Sequence, residues 1–380
     1  MKYSLKRNSI SSFFSGKSFN KPFVIAGPCS AESEQQVFKT VEGIAQASVD
    51  MIRAGIWKPR TRPDSFEGIG DVGLKWLRDA GRHFGLPVTV EVANESHITA
   101  ALTYGIDVLW IGARTTVNPF QVQEIADALR GVDIPVMVKN PLNPDLELWI
   151  GAIERLQKSG IKNIAAIHRG FSSYENSMYR YKPNWELPIE FKRRNPSIPL
   201  ICDPSHICGK TETIQYVAQT ALDLNYDGLM IETHIDPQNA WSDKKQQLNP
   251  AQLIELLTNL VSRDQNTNNI LQRGQLQDLR DMVDDIDEQV IDVLSKRMSI
   301  ARMIGDFKKQ NNLSIYQPER WNEIINTRTG YGSQKELSRE FLLKLFNIIH
   351  EESILQQSYR MNLNDNHQHT AVESHQHNKQ

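Results

Sequence analysis

The sequence predicts an α/β chain in which a (β/α)8 barrel of the TIM type precedes an all-α, dimeric helical domain. Three observations predict it. Between Pro22 and about Thr233, eight short apolar runs alternate with stretches of helical period. The runs are mostly apolar rather than alternating, the pattern of strands buried on both faces of a parallel sheet. From Leu276 to Lys308 no Pro and only Gly305 interrupts a long helical stretch. Eight strand–helix units over about 240 residues favour a closed barrel over an open doubly wound sheet.

Taken in order, the strand runs are PFVIAGP, MIRAGIW, PVTVEV, VLWIGA, PVMVKN, IAAIHR, PLICDPSH and GLMIETH, with helices such as SEQQVFKTVEGIAQA and NPFQVQEIADALRG between them. Residues 1–20 read as an N-terminal extension and 21–262 as the barrel. The segment SRDQNTNNILQRG is polar, so 263–274 reads as a linker. The helical domain, 275–360, opens with a helix of about 33 residues, or roughly 50 Å. Two shorter helices follow, Pro318 to about Thr329 and Lys335 to about Arg360. One long helix with two short partners leaves its apolar stripe uncovered, so a homodimer or larger assembly is expected through this domain. The polar tail, 361–380, is expected to be solvated and disordered, its four histidines (His367, His369, His375, His377) included.

Composition narrows the class. With 43 Lys+Arg against 45 Asp+Glu, no global field favours nucleic acid or an anionic membrane. Three cysteines, Cys29, Cys202 and Cys208, imply no disulfide framework and suit a reducing compartment. No apolar run approaches ~18 residues and no signal-type segment opens the chain, so a soluble cytoplasmic protein is expected, with small molecules as its partners.

A barrel of this kind keeps its site at the C-terminal ends of its strands. Those ends carry Cys29; Lys58, Arg60 and Thr61; Glu91; Arg114; Lys139; His168 and Arg169; Asp203 and His206; Glu232 and His234. Lys58, Arg60, Arg114, Lys139 and Arg169 form a ring of cations, more than a structural ion pair requires, so a ligand with several anionic groups is expected. Cys29, His206 and Glu232, with Asp243 as fourth ligand, supply sulfur, imidazole and oxygen, a set suited to one divalent ion such as Mn, Fe, Co or Zn. The alternative for Cys29 is a buried structural thiol.

The motifs GPCSAES, KPRT (58–61), IGAR (111–114), VKN (138–140), HRG (168–170), CDPSH (202–206) and IETH (231–234) together resemble 3-deoxy-D-arabino-heptulosonate 7-phosphate (DAHP) synthase, in its compact bacterial form related to the octulosonate synthases. KPRT separates it from those relatives and from sialic acid synthase barrels. The resemblance implies condensation of phosphoenolpyruvate with erythrose 4-phosphate. It places the metal on Cys29, His206, Glu232 and Asp243, phosphoenolpyruvate on Arg114, Lys139 and Arg169, and erythrose 4-phosphate against Lys58, Arg60 and Thr61. Lys58 delivers a proton or acts electrostatically. Glu91 and His234 are read as supporting residues.

On the long helix, Leu279, Val283, Ile286, Val290 and Ala301 share one face, and Arg297 and Lys308 fall in the middle of it. Either the cations snorkel from a loose stripe or they meet a buried dianion. Ser353 and Gln357 would present a hydroxyl and an amide to one place. LR at Arg280, KR at Arg297, GDFKK at Lys308, PER at Arg320 and SILQQ at Ser353 and Gln357 resemble the all-helical chorismate mutases. The resemblance implies that two chains intertwine and lend Arg280 to each other, that Arg280, Arg297 and Arg320 hold the carboxylates of chorismate, and that Lys308 and Gln357 stabilise its ether oxygen. Where that family carries acidic residues that grip the substrate hydroxyl, this chain has Gln317 and Trp321. A module that senses a pathway product and regulates the barrel is the alternative to catalysis, and feedback control is expected to pass through these helices.

Overall fold

The fold comes from a computed structural model that describes residues 13–14, 22–58, 66–174, 177–263 and 269–362. The chain forms two compact units, 1–265 and 266–380.

In the first unit, eight parallel strands close a barrel in chain order: β1 (Phe23–Gly27), β2 (Met51–Ala54), β3 (Val88–Val92), β4 (Val108–Ile111), β5 (Val136–Lys139), β6 (Ile164–His168), β7 (Leu200–Cys202) and β8 (Gly228–Glu232). β1 pairs with β8 over its whole length, Phe23 with Gly228 through Gly27 with Glu232. The expected barrel is present. Its outer layer is built from helices including α1 (Glu34–Ala45), α2 (Val72–Phe84), α3 (Glu95–Thr103), α4 (Ala113–Thr116), α5 (Pro119–Ala128), α6 (Leu146–Lys158), α7 (Glu186–Arg194), α8 (Pro204–Cys208), α9 (Ile214–Asp223) and α10 (Pro250–Asn259). Local chemistry starts them: Ser33 accepts from Gln36 N, Asn94 from His97 N and Asp145 from Leu148 N, each filling an orphan donor of the first turn. Asn249 and Gln252 form a reciprocal capping box for α10.

Strand residues divide by parity. Val24, Ala26, Ile52, Val90, Ala166 and Ile231 pack outward beneath the helices, while Ile25, Met51, Trp110, Met137, Ile167 and Met230 form a second, separate apolar cluster. Phe13 joins the second cluster and stacks on Phe23 at 4.3 Å, at the end of the barrel where β1 begins. Continued toward the strand C-termini, the parity of that second cluster lands on Arg53, Glu91, Lys139, Arg169, Asp203 and Glu232. Thus one row turns from apolar to charged along the barrel axis, and that change locates the site. Among the described residues, no helix is long and apolar enough to cross a membrane.

The second unit contains α11 (Ile270–Gln310), α12 (Pro318–Ser333) and α13 (Arg339–Asn362). The first of these begins inside the stretch read as linker, because Asn269 caps it by accepting from Leu271 N and Gln272 N. Helix α13 starts a few residues later than expected. The C-terminal half of α11 packs closely against α13: a Cβ on Gly305 would stand 3.0 Å from Gln357 Cα, tight enough that α13 would have to give by a few tenths of an ångström. Arg360 grips Asp306 through two contacts of 2.8 and 2.9 Å across the same pair. The extension 1–20 apart from Phe13 and Phe14, and the tail histidines, lie outside the described residues.

Candidate active sites

Cys29 follows β1 directly. Gly27, with φ +146°, brings the chain so close to β2 that a Cβ would lie 2.2 Å from the Arg53 carbonyl oxygen. Cys29 is thereby set beside the ends of β2 and β8. Its Sγ accepts from Lys58 Nζ at 2.9 Å and donates to Asp243 Oδ2 at 3.3 Å. Cys29, Glu232 and Asp243 each offer a ligand atom within 4.8 Å of the others. His206, at the first turn after β7, borders them with Nε2 3.8 Å from Glu232 Oε1 and Nδ1 2.8 Å from Asp203 Oδ2.

The loop carrying Asp243 is held on several sides. Ser30 and Ser242 hydroxyls meet at 2.6 Å, Gln247 Oε1 accepts from Cys29 N at 2.9 Å, and Glu32 accepts from Trp241 N at 2.7 Å. Arg180 Nη1 reaches Asp243 Oδ1 and Gln246 Oε1, both at 2.9 Å, and Gln246 donates to Glu232 Oε2 at 2.6 Å. Asp243 itself has φ +42°, a left-handed conformation that costs a non-glycine residue about 1–2 kcal/mol and persists because these contacts fix it.

Electrostatics follow from this packing. Burial, with Glu232 beside it, pushes the Cys29 thiol up to about 12, against the pull of Lys58. Burial would raise the Glu232 and Asp243 carboxyls, but His206 with Arg53 and Lys58 holds the first below the usual carboxylate range, and His206 with Arg180 and Lys58 the second. Burial lowers His206, against the pull of Asp203 toward its charged form. An imidazole oriented by a carboxylate, whose charged form burial disfavours, two ionised carboxylates and a thiol that needs a cation to lose its proton fit a divalent ion. The buried Glu232 Oε1, which faces Arg53 Nη1 at 3.2 Å without an aligned hydrogen bond among the described residues, fits it too.

The cations divide into balanced and unbalanced. Arg53 lies 3.2 Å from Glu232, and Lys139 lies 2.8 Å from Asp203, all four buried. Arg169 is 3% exposed and lies over the Tyr181 ring at 3.5 Å, yet no carboxylate of the described residues is within ion-pairing distance. A buried, unbalanced guanidinium calls for an anionic ligand. Arg114 stands exposed on α4, at the rim. Arg60 and Thr61 lie outside the described residues. His168, grouped with the strand ends in the sequence, belongs elsewhere: burial drops it to about 3, it faces Trp185, and its ring nitrogens meet Pro183 O at 2.7 Å and the Tyr226 hydroxyl at 2.9 Å.

In the helical unit, Arg297 Nη1 donates to Ser353 Oγ and lies 3.5 Å from Ile349 O, while Lys308 Nζ donates to Ile315 O at 2.6 Å. Lys308, Ser353 and Gln357 are buried, and Gln357 Oε1 lacks a hydrogen bond among the described residues. Arg297 and Ser353 are therefore in contact between α11 and α13, while Lys308 and Gln357 are buried further along the same two helices. Arg320 is exposed and pairs with Glu323 at 2.5 Å. Arg280 is exposed too, and it precedes Arg297 by about 25 Å along the helix axis.

Comparison with known proteins decides the family, since residues 9–269 match the DAHP synthetase I family model. The chain belongs to the DAHP synthetase I family. Residues 279–358 match chorismate mutase type II. The chain is thus a bifunctional enzyme of the shikimate pathway, a 3-deoxy-7-phosphoheptulonate synthase joined to a chorismate mutase. A phospho-2-dehydro-3-deoxyheptonate aldolase of Thermotoga maritima is 31% identical over 238 residues, covering 63% of this chain and 67% of that protein. A 2-dehydro-3-deoxyphosphooctonate aldolase of Alkalilimnicola ehrlichii is 26% identical, covering 64% and 91%. The crystal structure of the Thermotoga maritima DAHP synthase superposes with a TM-score of 0.57 at 28% identity, covering 63% of this chain and 68% of that one.

Within the synthase barrel, sequence reasoning missed Arg53, Arg180, Tyr181, Gln246 and Gln247. Arg53 left a signal, an arginine inside the otherwise apolar run MIRAGIW. The other four come from loops with no periodicity to place them.

Proposed function

We propose that the barrel condenses phosphoenolpyruvate with erythrose 4-phosphate to DAHP and inorganic phosphate, and that the helical unit rearranges chorismate to prephenate. The observation carrying the first half is the inward row that ends in Lys139 and Arg169 above an apolar floor, with Arg169 unbalanced. These side chains, with Arg114 at the rim, would hold phosphoenolpyruvate and neutralise the repulsion between two anionic substrates. Arg60 and Thr61 are assigned to erythrose 4-phosphate on the KPRT motif. Cys29, His206, Glu232 and Asp243 would hold one divalent ion of the Mn, Fe, Co or Zn class, which when bound supplies Lewis acidity toward the aldehyde oxygen. C3 of the enol then bonds to the aldehyde carbon, water adds at C2, and phosphate leaves. Lys58 stands against Cys29 Sγ and is the proton source for the new hydroxyl.

For the mutase, Arg297 and Ser353 would bind carboxylate, and Lys308 with Gln357 the ether oxygen, so that developing charge is stabilised without a covalent intermediate. A second copy of the chain is the proposed partner of α11: Leu279, Val283, Ile286 and Val290 are 49–60% exposed in one chain, although they continue the face that buries Ala301. That copy would deliver Arg280, and Arg320 would close on the substrate when it binds. A cytoplasmic location is consistent with the reduced cysteines.

Phosphate release from phosphoenolpyruvate, measured with erythrose 4-phosphate and separately with arabinose 5-phosphate, tests the barrel; a preference of at least about 100-fold for the former is expected from phosphate and hydroxyl positioning. Activity with arabinose 5-phosphate alone would make it an octulosonate synthase. Prephenate formed from chorismate by the same protein tests the helical unit; prephenate binding without turnover would make it a sensor.

A further inference from the structure

Two buried side-chain atoms of the helical unit lack a hydrogen-bond partner among the described residues, Gln357 Oε1 and His350 Nε2. Gln357 already has a role at the ether oxygen. His350 has none. It precedes Ser353 by three residues and Gln357 by seven on α13, so the three side chains share one helix face. Its ring stacks on Trp321 of α12 at 3.9 Å with the planes 14° apart, and Tyr316 lies 6.2 Å away. This stack fixes the plane of the imidazole. Next to it in the chain, the Ile349 carbonyl faces Arg297 Nη1, which also reaches Ser353. Burial first, then the charge of Arg297, and also that of Lys308, hold His350 below its ordinary pKa, against Glu351. A neutral imidazole donates at one nitrogen and accepts at the other, which suits a hydroxyl better than a carboxylate.

Chorismate presents two carboxylates, an ether oxygen and one ring hydroxyl. Arginines and Lys308 with Gln357 account for the first three. The hydroxyl has no partner among them, since Gln317 is exposed and Trp321 is committed to the stack. We propose that His350 Nε2 is the hydrogen-bond partner of the ring hydroxyl of the mutase substrate, held in register by Trp321, which makes His350 a specificity-determining residue. This rests on reading residues 279–358 as a working mutase.

The test compares chorismate with its analogue carrying hydrogen in place of the ring hydroxyl, in the full chain as wild type, His350→Leu and His350→Gln. The quantity read is the ratio of kcat/KM for the two substrates; comparing that ratio between proteins cancels their intrinsic reactivities. His350→Leu is expected to lose about tenfold with chorismate and little with the deoxy analogue, because a buried polar partner has been removed. His350→Gln, whose amide nitrogen can occupy the Nε2 position, is expected to keep most of the wild-type ratio. Equal losses on both substrates, no loss at all, or a Gln variant as indifferent as Leu would overturn the assignment. A wild type that forms no prephenate would bring down the mutase reading and this assignment together, whereas a working wild type with an unmoved ratio rejects this assignment alone.

Discussion

His168 and Arg169 are adjacent in the chain but belong to different layers of the barrel. Arg169 continues the parity of Ala165 and Ile167, while His168 points among Trp185, Phe171 and Tyr226 beneath the helices. The burial that drops the His168 pKa from 6.5 to about 3 has a consequence for stability. Between those values the unfolded chain binds a proton that the fold refuses, so the fold keeps its full stability above pH 6.5 and loses about 1.4 kcal/mol for each unit below it. Denaturant midpoints of the barrel transition from pH 7.5 to 5.0 should fall for the wild type, and fall less steeply for His168→Phe; parallel slopes would contradict this. The residue types of the site were legible because apolar strands have no structural use for a lysine or an arginine at their ends. Which of two neighbours faces the site required parity, and that was available in IAAIHR. Arg180 was not legible, because a loop residue is placed only by the partners it finds, here Asp243 and Gln246.

At the scale of elements, α11 has two halves with different neighbours. From Ala301 onward it packs on α13, whereas its first half leaves Leu279, Met282, Val283, Ile286 and Val290 at 49–60% exposure. A second copy covering that half would be disrupted by buried charge. Val283→Asp combined with Ile286→Asp should therefore halve the molar mass measured by light scattering and lower mutase turnover at least about 100-fold, since each unpaired buried charge costs several kcal/mol and Arg280 is withdrawn. Unchanged mass would reject the arm as the interface. Periodicity in the sequence marked this helix and its apolar face, but not its start. Ile270 to Gly274 reads as linker by composition, yet Gln272 and Arg273 are adequate helix formers and Asn269 supplies the cap.

Across the whole molecule, the two units each gather cations around a small polar cluster, and the two clusters serve different chemistry. The barrel combines its cations with a thiol, two carboxylates and an imidazole, a combination the helical unit lacks among the described residues. Ion dependence should accordingly belong to the synthase alone. The most direct measurement is phosphate release from phosphoenolpyruvate and erythrose 4-phosphate in the intact protein, before chelation, after verified removal of divalent ions, and after adding Mn back, with prephenate formation followed in parallel. Phosphate release should fall at least about 100-fold on stripping and return with the ion, should not return in Cys29→Ala, and prephenate formation should stay constant throughout. Undiminished phosphate release from ion-free protein would contradict the assignment of Cys29, His206, Glu232 and Asp243.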